Sequence, residues 1–187
     1  IGAARAAKKL IVADPKATDL SVYADVDILT PNLQELSKFS ETSLTDLDTI
    51  GATATRLAKT HNIGTIITTL SARGILASSA DGTQFHDPAK TRDVFDVSGA
   101  GDTVVAVISA AIASGAHLEA AVALANHVAG VAVSKSGTAT VAPGEILAYL
   151  PLSNPLTEPA YLATLCQNWR SEGDKIAFAN GCFDLLH

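Results

Sequence analysis

Several residue types are absent or scarce in this 187-residue chain, which has no Met, one Trp and only 5% aromatic residues. The two cysteines, Cys166 and Cys182, form neither a disulfide framework nor a metal-spaced cluster, so we interpret them as small buried hydrophobic residues. Free thiols favour a reducing compartment, and we expect the cytoplasm. Because there is no initiator Met and no apolar signal core at the start, we expect the sequence to begin inside a longer protein.

Charged residues are also scarce, at 17%, and the net charge of -6 disfavours a general affinity for nucleic acid. A hydrophobic content of 48% excludes a disordered chain. The most apolar region, residues 104–133, contains no run near the ~20 residues of a membrane span. It is interrupted by Gly115, His117, Glu119, Asn126 and His127. We therefore expect neither a nucleic-acid partner nor a membrane.

Short apolar runs alternate with segments of helical spacing, which predicts an α/β fold around a mostly parallel sheet. Thr45 and Asp48 are expected to form a capping box at the start of one helix. The turn signal Asp81-Gly82 predicts a hairpin. The predicted strands are residues 10–13, 27–30, 64–70, 74–78 and 84–86. The predicted helices are the tail of one at 1–9, one starting at Asn32, and those at 45–60, 101–114, 118–133 and 143–150.

The composition changes at residues 151–159, PLSNPLTEP, which are rich in Pro and polar residues, as is typical of a linker. Residues 1–150 before it form the first predicted domain. Residues 160–187 after it contain one helix and one strand, too little to bury a core. We interpret them as the truncated start of a second domain.

The strongest chemical signal is the segment 96–103, DVSGAGDT, in which a turn with two glycines enters a long apolar helix. Gly99, Ala100 and Gly101 let unpaired N–H groups approach an anion, and the helix dipole favours negative charge there. Asp102 is placed to accept the proton of a hydroxyl that attacks phosphorus. The alternative is that Asp102 caps the helix and the glycines only form a tight turn.

Other polar residues have two interpretations each. Lys16 follows a strand and is either a phosphate contact or a surface lysine. Asn32 is either a site residue or an N-cap, and Glu35 either a site residue or a solvated carboxylate. The amide of Asn126 lies in an apolar helix, where either a backbone partner or a nucleotide would satisfy it.

Segment 96–102 resembles the C-terminal signature D-T-x-G-A-G-D of the ribokinase-like (PfkB) carbohydrate kinases, with Val97 in place of Thr. Upstream, the segment 32–35 is similar to the N-x-x-E motif of that family. The segment 69–74, TLSARG, resembles the part that lines the nucleotide site. Downstream, Asn126 and the turn 136–138 lie where the adenine pocket closes in the family. All four occur in the order of the family.

The resemblance implies a ribokinase-like three-layer α/β/α sandwich, incomplete here because only the C-terminal half is present. It implies a kinase that uses ATP and Mg²⁺, with a sugar phosphate as the small-molecule partner and a homodimer in the full-length protein. Asp102 would be the catalytic base beside the anion hole of Gly99, Ala100 and Gly101, and Glu35 would act on magnesium through water. Arg73 is assigned only a phosphate contact. The implied nucleotide-site residues are Asn32, Leu33, Gln34, Glu35, Thr69, Ser71, Gly74, Asn126 and Gly137.

Three further segments, IVADPK, DILTPNLQEL and SKSGTATV, look like the kinase half of the bifunctional heptose-activating enzymes. Residues 175–187, ending in NGCFDLLH, resemble the first strand and loop of a cytidylyltransferase-like domain. This resemblance implies phosphorylation of D-glycero-D-manno-heptose 7-phosphate at O1, followed by adenylylation to ADP-heptose for lipopolysaccharide. Two alternatives remain open, a monofunctional PfkB sugar kinase of other specificity and an inactive nucleotide-binding module.

Overall fold

A computed structural model describes residues 1–40, 43–89, 99–135 and 140–142, with single helical positions at 144, 146, 163, 166, 167 and 170. The chain divides into two units, Ile1–Leu150 and Pro151–His187, and nearly all described residues belong to the first. The predicted linker 151–159 and the segment 175–187 lie outside the described residues. So does most of the predicted helix 143–150.

Five strands form one sheet in the order β1-β2-β3-β4-β5. The first three pair in parallel, and the last two are antiparallel. The sheet is therefore mixed. The parallel pairing that we expected holds for β1, β2 and β3, whereas the short connections before β4 and β5 allow only antiparallel pairing. The strands are β1 (Val12–Ala13), β2 (Ile28–Leu29), β3 (Thr65–Thr69), β4 (Ile75–Ser79) and β5 (Gln84–Asp87).

Within the described residues the helices occur at the predicted places, but the start of α3 differs in detail. Its N-cap is Asp46, whose carboxylate accepts a hydrogen bond from the Thr49 N–H at 2.8 Å, so the predicted Thr45–Asp48 box is wrong. The α-helices are α1 (Gly2–Ala6), α2 (Leu33–Lys38), α3 (Leu47–Thr60), α4 (Ala100–Ala113) and α5 (Leu118–Val133). Two 3₁₀ helices, Leu20–Tyr23 and Ser71–Arg73, were not predicted. No described helix is both long and apolar enough to cross a membrane.

Alternating side chains of the sheet supply two separate cores. Leu29 and Ile66 point to one face, where they pack with residues of α3 such as Ile50. Ile28 and Ile67 point to the other face, where they pack with residues of α4 and α5. Because Leu29, Ile66 and Ile67 are fully buried, each contributes about 1.5–3 kcal/mol of hydrophobic stabilisation. Helices on both faces of one sheet confirm the α/β/α sandwich.

Candidate active site

The carboxyl ends of the three parallel strands meet at one edge of the sheet. Asp14 directly follows β1, Thr30 follows β2, and Thr69 ends β3. The Thr69 N–H donates to the Pro31 carbonyl at 3.0 Å, which joins the ends of β2 and β3. Helix α4 packs against β1, which places α4 next to the strand that precedes Asp14. Open α/β sheets bind their ligands at this edge.

A cleft of about 140 Å³ opens at this edge, and seven of the residues singled out in the sequence line it. Its lining comes from four separate segments of the chain: the loop after β1, the start of α2, the end of β3 and the start of α4. The lining residues are Asp14, Lys16, Thr30, Asn32, Glu35, Thr69, Gly99, Gly101 and Asp102. Of these, Asp14 and Thr30 were given no role by the sequence analysis, although the place of Thr30 between a buried strand and Pro31 was a usable signal.

The first turn of α4 presents backbone donors to the cleft. Gly99 is the N-cap, with a φ of 80° that favours glycine. The first hydrogen bond of the helix joins the Thr103 N–H to the Gly99 carbonyl at 3.0 Å. The N–H groups of Ala100, Gly101 and Asp102 therefore have no partner within the helix. A Cβ built on Gly101 would meet no atom within 4 Å, so there is open space beside these donors for an anion.

The Asp102 side chain lies at the third residue of α4, is exposed, and lines the cleft. It does not cap the helix, since the N-cap is Gly99 and no described residue donates a hydrogen bond to the Asp102 carboxylate. Of the two interpretations offered by the sequence, the structure therefore disfavours the capping role. The carboxylate is available to accept a proton from a ligand in the cleft.

Asn32 and Glu35 form a capping box at the start of α2. The Asn32 Oδ1 accepts from the Glu35 N–H, and the Glu35 Oε2 accepts from the Asn32 N–H, both at 2.8 Å. The N-cap interpretation of Asn32 is therefore right, and both residues also line the cleft. The box fixes the Glu35 carboxylate at the edge of the sheet through one of its two oxygens. This rigid placement suits a group that must orient water or a metal ion.

Among the described residues, Lys16 is the cation that lines the cleft, together with the carboxylates of Asp14, Glu35 and Asp102. Its ammonium lies 2.5 Å from the Asp14 carboxylate, with the Lys16 side chain 76% exposed. The hydrogen bond to Asp14 and the negative charge of that carboxylate raise the pKa of Lys16 above its usual value. The charges of Glu35 and Asp102 raise this pKa further. Lys16 is thus held as a cation close to the predicted base.

Five of the predicted nucleotide-site residues do not line this cleft. Leu33 packs into the core on the α3 face, and Gln34 is exposed on α2. Ser71 is exposed in its 3₁₀ helix with a φ of 55°, and Gly74 is buried with a φ of 88°. The Asn126 amide donates to the Asp87 carboxylate at 2.6 Å, as well as to the Asp87 and Pro88 carbonyls. Protein acceptors therefore satisfy the Nδ2 group of Asn126, which favours the alternative in which the partner is the protein.

The structure describes two of the remaining singled-out residues, Ala100 and Arg73. Ala100 contributes its backbone N–H at the start of α4, although its side chain is not in the cleft lining. The Arg73 guanidinium donates to the Thr45 carbonyl at 3.1 Å, which ties it to the protein surface. Gly137 and the segment 96–98 of the signature lie outside the described residues.

Comparison with known proteins agrees with this geometry. The profile described as "pfkB family carbohydrate kinase" matches residues 1–144. The curated relatives include proteins called "Bifunctional protein HldE" from Paramagnetospirillum magneticum and Hyphomonas neptunium. The first is 40% identical over 98% of this chain and 39% of its own length. The second is 42% identical over 95% of this chain and 37% of its own length. The chain thus spans about two fifths of the relatives it matches.

Solved structures with the same fold include two sugar kinases. Arabidopsis thaliana ribokinase, complexed with ribose and ATP, has a TM-score of 0.73 and 21% identity over 81% of this chain and 51% of its own. Phosphofructokinase-2 from Escherichia coli, in complex with potassium, has a TM-score of 0.71 and 18% identity over 79% of this chain and 48% of its own. The ribokinase-like fold predicted from the sequence is therefore confirmed.

Proposed function

Because the chain belongs to the pfkB family of carbohydrate kinases, we propose that it forms the catalytic half of an ATP-dependent sugar kinase. The observation that supports this most strongly is the cleft in which the Asp102 carboxylate lies beside the first-turn N–H groups of α4, which have no acceptor within the helix. Asp102 would accept the proton of the sugar hydroxyl as its oxygen attacks the γ-phosphorus of ATP. The N–H groups of Ala100 and Gly101 would stabilise the charge on the phosphoryl oxygens.

The residues present also fit a magnesium ion held mainly by the nucleotide. Among the described residues, no group of three His, Cys, Asp or Glu side chains is placed to hold a metal ion. Mg²⁺ usually keeps several waters and takes few protein carboxylates beside substrate phosphates. The Glu35 carboxylate, fixed by its capping box, would orient one such water, and Asn32 would fix Glu35. When bound, the ion would neutralise charge on the ATP phosphates.

We propose D-glycero-D-manno-heptose 7-phosphate as the acceptor, phosphorylated at O1. The segments IVADPK, DILTPNLQEL and SKSGTATV support this assignment, and so does the similarity to the bifunctional relatives over nearly the whole chain. That similarity continues past residue 144, where the kinase profile ends. It supports residues 151–159 as a linker and residues 160–187 as the start of an adenylyltransferase domain, which would convert heptose 1-phosphate to ADP-heptose. The full-length protein would be a cytoplasmic homodimer.

A coupled assay of ADP release by the full-length protein tests this proposal. Heptose 7-phosphate and fructose 6-phosphate are compared as acceptors at saturating Mg-ATP. We expect kcat/KM for the heptose phosphate to exceed that for the fructose phosphate by about 10²-fold or more, since misplaced hydroxyls lose alignment with Asp102. Turnover of fructose 6-phosphate alone would indicate a monofunctional sugar kinase of other specificity. Turnover of neither, with ATP still bound, would indicate a nucleotide-binding module.

A further inference from the structure

The loop after β1 is fixed by a tyrosine hydroxyl that no recognised motif contains. The Tyr23 Oη accepts two hydrogen bonds, from the Lys16 N–H at 2.7 Å and from the Ala17 N–H at 2.8 Å. Tyr23 ends the 3₁₀ helix Leu20–Tyr23, and its ring packs against the core on the α3 face. The hydroxyl of a half-buried side chain therefore holds the backbone at Lys16.

The side chain of Lys16 is oriented separately. Its ammonium contacts the Asp14 carboxylate at 2.5 Å, and both residues line the cleft that contains Asp102. An exposed ion pair contributes little to stability. Stability of the ion pair therefore does not explain why Tyr23 holds the Lys16 loop with two hydrogen bonds. Asp14, and to a smaller extent Glu35 and Asp102, raise the pKa of Lys16, whose ammonium is charged at neutral pH as in any ordinary lysine. The Lys16 ammonium and the Asp102 carboxylate thus belong to one cleft.

We infer that Lys16 is a catalytic residue that contacts the transferred phosphoryl group, and that Tyr23 is a positioning residue that acts through it. This inference rests on the kinase function proposed above. In the transfer, the sugar oxygen forms a bond to the γ-phosphorus while the bond from that phosphorus to the bridging oxygen of ADP breaks. The hydroxyl proton goes to Asp102, and the electron pair of the broken bond leaves with ADP. The Lys16 ammonium stabilises the charge on the phosphoryl oxygens and takes no part in proton transfer.

Four single variants and one double variant of the full-length protein test these roles. Lys16→Gln removes the charge and should lower kcat by about 10²-fold, while the affinity for ADP, which lacks the transferred group, stays the same. Lys16→Arg keeps the charge and should restore most of kcat. Lys59→Gln is the matched control, because Lys59 is an exposed lysine in the last turn of α3, outside the cleft lining. It should leave kcat unchanged.

Tyr23→Phe removes only the acceptor of the two N–H bonds and should lower kcat by roughly tenfold. The double variant Tyr23→Phe/Lys16→Gln should be no slower than Lys16→Gln alone, because a positioning residue has no effect once its target is gone. Multiplicative effects in the double variant would overturn the role of Tyr23. Circular dichroism and Tm measurements establish that each variant is folded.

The result that would overturn the role of Lys16 is normal turnover by folded Lys16→Gln. Loss of kcat in both Lys16→Gln and Lys16→Arg, with weakened binding of ADP, would also overturn it, since the residue would then support the nucleotide site as a whole. Absence of phosphoryl transfer to any sugar by the wild-type protein would instead contradict the kinase proposal itself. The two failures are therefore distinguishable.

Discussion

The substitution Asn126→Asp tests whether this amide supports the structure or binds the nucleotide. The Asn126 Nδ2 donates to the Asp87 carboxylate at 2.6 Å, to the Asp87 carbonyl at 3.1 Å and to the Pro88 carbonyl at 3.0 Å. The change keeps the shape of the side chain but replaces the donor with an oxygen. At neutral pH, an added carboxylate would then face three acceptor oxygens without a proton between them.

The magnitude follows from the bonds that are lost. A hydrogen bond to a charged group contributes about 1.5–3 kcal/mol and a neutral one about 0.5–1.5 kcal/mol. The two hydrogens of Nδ2 are shared among the three acceptors, so we count one bond of each kind, about 2–4.5 kcal/mol in all. For a protein of this size, that loss corresponds to a fall in Tm of about 5–15 °C. Repulsion from Asp87, which is 8% exposed, adds to the loss. The matched control is Asn62→Asp, since the Asn62 amide also donates to an aspartate, Asp25 at 2.7 Å, but at an exposed position. Its Tm should change little.

Differential scanning calorimetry across pH 4 to 8, together with ATP titration, provides the assay. The carboxylate at position 87 raises the folded-state pKa of the carboxyl introduced by Asn126→Asp. The folded variant then binds more protons than the unfolded variant between the unfolded-state pKa and the raised folded-state pKa of this carboxyl. The loss of Tm caused by Asn126→Asp should therefore grow as pH rises between these two pKa values and shrink as pH falls. A normal Tm with a large loss of ATP affinity would refute this interpretation and return Asn126 to the nucleotide site.

Two further predictions concern stability. Gly74→Ala should lower the free energy of unfolding, measured with urea, by about 3 kcal/mol or more, because φ is 88° and the new methyl group would collide with the Asp87 carbonyl. The matched control is Gly82→Ala, where φ is 99° but no atom lies within 4 Å of the new methyl group. This control should lower the free energy of unfolding by only about 1–2 kcal/mol, through backbone strain. Equal losses at the two glycines would contradict the packing argument. Asp46→Ala should lower Tm at pH 7, because the Thr49 backbone and hydroxyl hydrogen bonds lower the pKa of Asp46 below 3.8. That stabilisation is present above pH 3.8 and lost as pH falls through the lowered pKa, so a Tm difference that persists in acid would contradict it.

The parts of the site that could be predicted from the sequence are those set by local chain geometry. A buried strand followed by a polar loop places Asp14 and Thr69 at one edge of the sheet without knowledge of distant contacts. The glycine pair Gly99 and Gly101 at the start of α4 similarly indicates that the N–H groups of the first turn lie beside Asp102. The hairpin at Asp81 was predictable for the same reason, since the turn residues themselves require it.

The rest depends on contacts between residues far apart in sequence. Asn126 lies 38 and 39 positions from its acceptors, so its sequence context could not decide between a backbone partner and a nucleotide. Tyr23 is only seven positions from Lys16, but its role requires the 3₁₀ helix and the folded loop that bring its hydroxyl under the backbone. The choice between Thr45 and Asp46 as the cap of α3 was a one-residue error, which is common where two good capping residues are adjacent.

The most direct test of the proposed chemistry is the turnover of Asp102→Asn in the full-length protein. The substitution keeps the size and hydrogen-bonding reach of the side chain but removes the proton acceptor at the start of α4. We predict that kcat falls by about 10²–10⁴-fold while ATP binding, measured by calorimetry, is unchanged. Near-normal kcat would contradict the assignment of Asp102 as the base that activates the sugar hydroxyl.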